Sequence, residues 1–155
     1  MGSWEREGMI SLETAKNLKI AGLEWAYEYG FPKDCVYYKG KLHEVDGPGA
    51  DNTFRLAPWG NYVKQDYIAF APRLDQLLAE IEKRWSDYTL THTKHDSPQY
   101  KIALESVTNW EGWHKLDGEF TADSPEEAAA DALIWILTNG ESKPFVPSKF
   151  DDSAY

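Results

Sequence analysis

Cysteine is almost missing from this chain: Cys35 is the single thiol in 155 residues. One thiol cannot close an internal disulfide, and it cannot build the multi-cysteine cage of a structural zinc site. That usage fits a reducing compartment, so a cytoplasmic location is expected. Long apolar runs are also missing. No stretch approaches the roughly 18 to 20 residues that a bilayer-spanning helix needs, and the N-terminus has no basic region leading into an apolar core, so neither membrane insertion nor export is expected. Positive charge is scarce, with 16 Lys and Arg against 26 Asp and Glu and a net charge of −10. The imbalance is steepest from Glu105 to Glu141, where nine acidic side chains accompany one basic residue, Lys115. Such a surface repels a phosphate backbone, which excludes the usual clustered-cation mode of nucleic-acid binding. Its plainest role is solubility. Gly47, Gly49 and Gly60 lack the spacing of either common phosphate loop, and no serine sits in a Gly-x-Ser-x-Gly elbow, so no nucleotide cofactor and no serine hydrolase is expected.

Large rings are plentiful, with seven Trp, nine Tyr and six Phe. A chain of this length can bury a sizeable core without staples, and the expectation is one domain over residues 1–155, with an N-terminal tail over 1–10 and an extended tail over 141–155. Ser11 is a good N-cap for a short helix over 12–20, which Gly22 interrupts. The segments Cys-Val-Tyr-Tyr and Lys-Leu-His-Glu-Val flank Lys39-Gly40 and read as a hairpin over 35–45, with Gly40 supplying a positive φ. The Gly- and Pro-rich run 46–61 reads as a long loop, and 66–70 as a short strand.

The strongest patterns lie between residues 71 and 139. Leu74, Leu77, Leu78 and Ile81 fall at i, i+3, i+4 and i+7, the stripe of an amphipathic helix over 72–85, with Pro72 suited to its first turn. Glu80 is spaced to pair with Lys83 or Arg84. Tyr88, Leu90 and His92 alternate with polar neighbours, as do Tyr100, Ile102 and Leu104, so two antiparallel strands are predicted over 87–93 and 99–107. Residues 119–121 can add a short pairing segment. Ser124-Pro125-Glu126-Glu127 opens a last helix over 125–138, whose stripe is Ala129, Ala132, Leu133, Ile136 and Leu137. The predicted class is α+β: an antiparallel sheet with helices packed mainly on one face, ending in a helix-strand-strand-helix unit. In Ala71-Pro72-Arg73-Leu74-Asp75-Gln76-Leu77-Leu78-Ala79-Glu80-Ile81-Glu82-Lys83-Arg84 and Phe120-Thr121-Ala122-Asp123-Ser124-Pro125-Glu126-Glu127-Ala128-Ala129-Ala130-Asp131-Ala132-Leu133, the chain resembles small uncharacterised proteins of phages and prophages with an alpha-beta-alpha sandwich. That resemblance spans residues 71–139, rests on caps and stripes, and implies no agreed activity, cofactor or site.

Candidate chemistry is sparse. His92, His95 and Asp96 are of metal-ligating type and sit around one predicted turn, with His114 as a further ligand from elsewhere; a metal-assisted hydrolase is the enzymatic reading. Cys35 and His43, facing each other across the predicted hairpin, form a candidate thiolate and base. Glu105 and Glu119 form a candidate acid-base pair across strands. Trp59, Tyr62, Tyr67, Trp110 and Trp113 lie in or near irregular segments, where rings either close a core or anchor a partner. The function expected is that of a small, acidic, non-catalytic protein of phage or prophage type that contacts another protein. Imitation of nucleic acid by its acidic face is one route to such contact, and a structural or oligomeric component is a further class.

Overall fold

A computed structural model describes residues 9–28, 30, 32–58, 60–85, 87–93, 99–107 and 114–140. The class is α+β with antiparallel sheets, and the chain divides into two compact units between Pro72 and Arg73. The strands expected in one sheet are shared between two: five in the first unit, in the order β4-β3-β2-β1-β5, and three in the second, in the order β6-β7-β8.

The first unit opens with helix α1, Leu12–Ala21. The Ser11 side chain caps it by accepting the Thr14 N–H at 3.2 Å. Gly22 ends it at φ 103°, with the Gly22 and Leu23 amides returning to the Lys19 and Leu18 carbonyls, a reversal that a left-handed residue makes possible. Strands β1, Cys35–Tyr38, and β2, Lys41–Pro48, form the predicted hairpin, and its turn carries positive φ at both Lys39 and Gly40. The run 46–61 is not a loop. It holds the end of β2, strand β3, Thr53–Leu56, and the start of β4, Asn61–Lys64. Four-residue strands between Gly, Pro, Asp and Asn offer too short an alternation to stand out from the turns that flank them. The strand expected over 66–70 is displaced by a 3₁₀ turn, Gln65–Tyr67, and becomes β5, Ala69–Ala71, antiparallel to β1.

Side-chain alternation divides the two faces of this sheet. Helix α1 packs along β5, and the buried Tyr37 hydroxyl donates to the Ile10 carbonyl at 2.6 Å. Tyr37 lies opposite Ala69 and Cys35 opposite Ala71, and these small alanines let the helix approach closely. The other core gathers Val36, Val45, Phe54, Leu56, Val63 and Ile68, with Trp25, Tyr27, Tyr38 and Phe70 packed against it.

The second unit holds α2, Leu74–Arg84, β6, Asp87–Thr93, β7, Gln99–Val107, β8, His114–Ala122, and α3, Pro125–Trp135. Arg73 is the N-cap of α2, which leaves Pro72 outside the helix. The Gln76 side chain accepts the Arg73 amide at 2.9 Å, half of a capping box, since a guanidinium has no acceptor to return. Leu77 and Ile81 of the predicted stripe are fully buried. Glu80 pairs with both Lys83 and Arg84, at 2.7 Å each. Ser124 caps α3 as predicted, accepting the Glu127 amide at 3.2 Å. Helix α3 packs on β7, β8 and α2, so Ala128 and Ala130 are buried along with the predicted stripe. The α-helix stops at Trp135 and widens into a π turn, Ile136–Gly140, where the Thr138 and Asn139 side chains donate to the Ile134 and Trp135 carbonyls. The segment expected over 119–121 is a full nine-residue strand, β8, and a bulge at Leu104/Glu105 shifts its register on β7.

Candidate functional site

Two features of the described residues have the shape of a site. The first is a cavity of about 390 Å³ in the first unit, lined by Ala15, Leu18 and Lys19 of α1, by Leu23, Glu24 and Trp25 after it, and by Gln65, Ile68 and Phe70. Its existence follows from the Gly22 reversal, which turns the chain back so that Leu23–Trp25 faces the sheet edge that α1 also covers. Trp25 is the fixed part of this wall. Its indole N–H donates to Asp34 Oδ2 at 2.9 Å, and the same oxygen accepts the Glu28 amide at 3.0 Å. Its ring stacks on Phe70 at 5.2 Å and 19°, and leans on Phe54 at 4.6 Å. Asp34 has no exposed surface, so a charged acceptor inside the core organises an aromatic cluster around itself.

Lys19 reaches across the cavity to the turn before β5. Its ammonium donates to the Ile68 carbonyl at 2.7 Å, to Asp66 at 3.2 Å and to Gln65 at 3.4 Å. Burial pushes this amine below the ordinary lysine range, while the nearby Asp66 carboxylate acts in the opposite direction. Its three donors are committed to main-chain oxygens, so its role is to tie α1 to the turn. Glu24 is different: it is exposed, and its carboxylate has no hydrogen-bond or ion-pair partner among the described residues.

The second feature is the outer edge of the three-stranded sheet. Register aligns Tyr88 with Leu104 and Gly118, Leu90 with Ile102 and Phe120, and His92 with Tyr100 and Ala122. Phe120 meets Trp135 of α3 at 6.0 Å, and Ile102 and Leu104 are fully buried, so this is the face turned to the helices. Toward its far end the cover runs out: Leu90 is 37 % exposed, and His92 is exposed with its ring stacked on Tyr100 at 4.1 Å and 4°. The opposite face of β6 presents Thr89, Thr91 and Thr93 to solvent. Among the described residues β6 has one neighbour, β7, so its second edge of amides and carbonyls is unpaired with any other strand.

The sequence-derived candidates fall unevenly on these features. His92 lies on the β6 edge, while His95 and Asp96 lie outside the described residues, as do Trp59, Trp110 and Trp113. His114 opens β8 opposite Val107. Among the described residues no three His, Cys, Asp or Glu side chains gather as a metal-holding group. Tyr62 stands on the edge strand β4, 58 % exposed, with its ring folded over Gly49. Tyr67 is also half exposed. The register rules out the cysteine-histidine pair: Cys35 is opposite Glu44 and His43 is opposite Val36, which places thiol and imidazole on opposite faces of the sheet. Of the Glu105–Glu119 candidates, Glu119 lies opposite Ala103 and pairs with Lys101 at 3.2 Å, and Glu105 lies opposite Leu116.

Neither the cavity nor the role of Asp34 was visible in the sequence. Trp25 and Asp34 are nine residues apart and Phe70 lies in the later strand β5, and no spacing rule links the three. No helix of the described residues is long and apolar enough to cross a membrane. No protein-family model, no curated protein and no solved structure matches this chain.

Proposed function

We propose that this protein is a non-catalytic binding protein that takes an extended segment of a partner protein onto the free edge of β6. The observation that carries this reading is the strand itself. From Tyr88 to Thr93 it is uncharged at neutral His, rich in β-branched residues and free of proline, and it lies exposed at a sheet edge. Edges are normally blunted by lysine, proline or a bulge, because an open row of amides and carbonyls templates another strand. A peptide added there gains main-chain hydrogen bonds along its length, and Leu90, His92 and Tyr100 give alternate side chains an apolar shelf beside it.

The test is photocrosslinking in the cells that make the protein, with benzoylphenylalanine at Thr91 and, as a control, at Glu126 on α3. A discrete adduct from position 91, lost when Leu90→Lys places a charge on the shelf, is the expected result. Equal adducts from both positions, or an adduct indifferent to Leu90→Lys, would contradict edge pairing. Imitation of nucleic acid is a second reading. Glu127 and Asp131 stand one turn apart on α3, and burial together with the Glu127 charge holds the Asp131 carboxyl above its ordinary range. An adduct from Glu126 that disappears steeply with added salt is the outcome that favours it.

A further inference from the structure

We infer that the cavity beside Trp25 is a binding site for a small organic cation, a flat or aromatic body carrying one ammonium group. Size comes first: about 390 Å³ falls within the roughly 300–1,000 Å³ of small-molecule sites. The lining is also of the right kind, apolar and aromatic with a few polar groups. Ala15, Leu18, Leu23 and Ile68 are aliphatic, and Trp25 and Phe70 add aromatic surface of a kind that suits both flat apolar groups and cations. The wall is preorganised, because the Trp25 ring is held by Asp34 and by Phe70 before any ligand enters. Preorganisation of this kind lowers the ordering cost of binding.

The charge of the ligand follows from which polar groups are already committed. Lys19 is the cation of the lining, and its donors are directed at the carbonyls of Gln65, Asp66 and Ile68. An anionic ligand would have to pull it from all three. Glu24 has no such engagement among the described residues, and it is one of the residues that line the same cavity. It therefore supplies the acceptor for a ligand ammonium, while the net charge of −10 favours the approach of cations generally. Gln65, also on the lining, is a neutral polar residue.

Calorimetric titration of the full chain with tryptamine, N-acetyltryptamine and indole-3-propionate tests charge and shape together. Tryptamine is expected to bind saturably with one site per chain. The neutral and anionic analogues bind at least about fivefold more weakly, the range that one charge-assisted hydrogen bond at a partly exposed site supports. Glu24→Gln, an exposed substitution that leaves the core intact, reduces tryptamine binding by the same factor and leaves N-acetyltryptamine unaffected. Ligand-to-protein nuclear Overhauser contacts to Phe70 and Leu23 locate the ligand. No saturation by about 5 mM tryptamine, a preference for indole-3-propionate, binding unchanged in Glu24→Gln, or contacts elsewhere would each overturn the assignment.

Discussion

Replacing Asp34 by alanine should be among the most damaging single changes in the first unit. One carboxylate oxygen, Oδ2, accepts both the Trp25 indole N–H and the Glu28 amide, at 2.9 and 3.0 Å, in a side chain with no exposure. A hydrogen bond to a charged acceptor contributes about 1.5–3 kcal/mol, and removing the acceptor leaves two donors in a poorly solvated place. The two bonds share one oxygen and are not additive, so the expected loss is about 3–5 kcal/mol. Asp34→Asn should cost less, about 1–2 kcal/mol, because an amide oxygen at the Oδ2 position keeps two neutral bonds. Urea unfolding, followed in parallel by tryptophan fluorescence and far-UV circular dichroism, measures both variants. Coincidence of the two curves tests whether the two compact units unfold together, which a single free energy requires. Near-UV dichroism provides a second readout, since Trp25 is packed against Phe54 and Phe70 and loses its fixed orientation with the carboxylate. An alanine variant within about 1 kcal/mol of the wild type, or an asparagine variant as damaged as the alanine one, would refute the reasoning.

Two further predictions concern charge on the helices. Burial raises the Glu80 carboxyl, but hydrogen bonds and charge from Lys83 and Arg84 outweigh it, so its folded pKa lies below 4.5. Its contribution is therefore present above pH 4.5 and fades as pH falls through the folded value; Glu80→Gln should cost about 0.5–1 kcal/mol at pH 7 and progressively less in acid. A cost that stays constant down to pH 2, measured by urea midpoints, would count against the ion pairs. Asp131 has the opposite sign: its folded pKa is raised above 3.8, by burial first and by Glu127 second. The unfavourable term sets in as pH rises through the folded value, so Asp131→Asn should stabilise by a few tenths of a kcal/mol at pH 7, lose that advantage below pH 3.8, and gain less in high salt. A thermal scan in which the variant melts below the wild type at pH 7 would reverse this account.

Legibility differed between the two halves of the chain. In the second, three local signals agreed with one another: Ser124-Pro125 at a helix start, the Leu77 and Ile81 stripe, and the alternation through Tyr88–His92 and Tyr100–Leu104. Each is a short-range effect of capping or side-chain period, and each was found where the residues placed it. In the first half the local signals competed. Gly47, Pro48, Gly49, Asp51 and Asn52 announce turns more loudly than four residues of Thr-Phe-Arg-Leu announce a strand, so a two-strand meander read as a loop. The candidate site was harder still. Cys35 and His43 are candidate partners across the predicted hairpin, and a one-residue offset in register puts them on opposite faces.

What the residues determined by themselves was the class of element at most positions and the sign of the charge, because helix caps, apolar period and net charge depend on neighbours a few places away. What only the tertiary structure decided was the sharing of strands between two sheets, the place of β6 at the end of its sheet among the described residues, and the cavity beside Trp25. Those depend on which surfaces meet after distant segments fold back, as when the Trp25 ring, held by the nearby Asp34 carboxylate, settles on Phe70 of β5. No local period encodes that meeting.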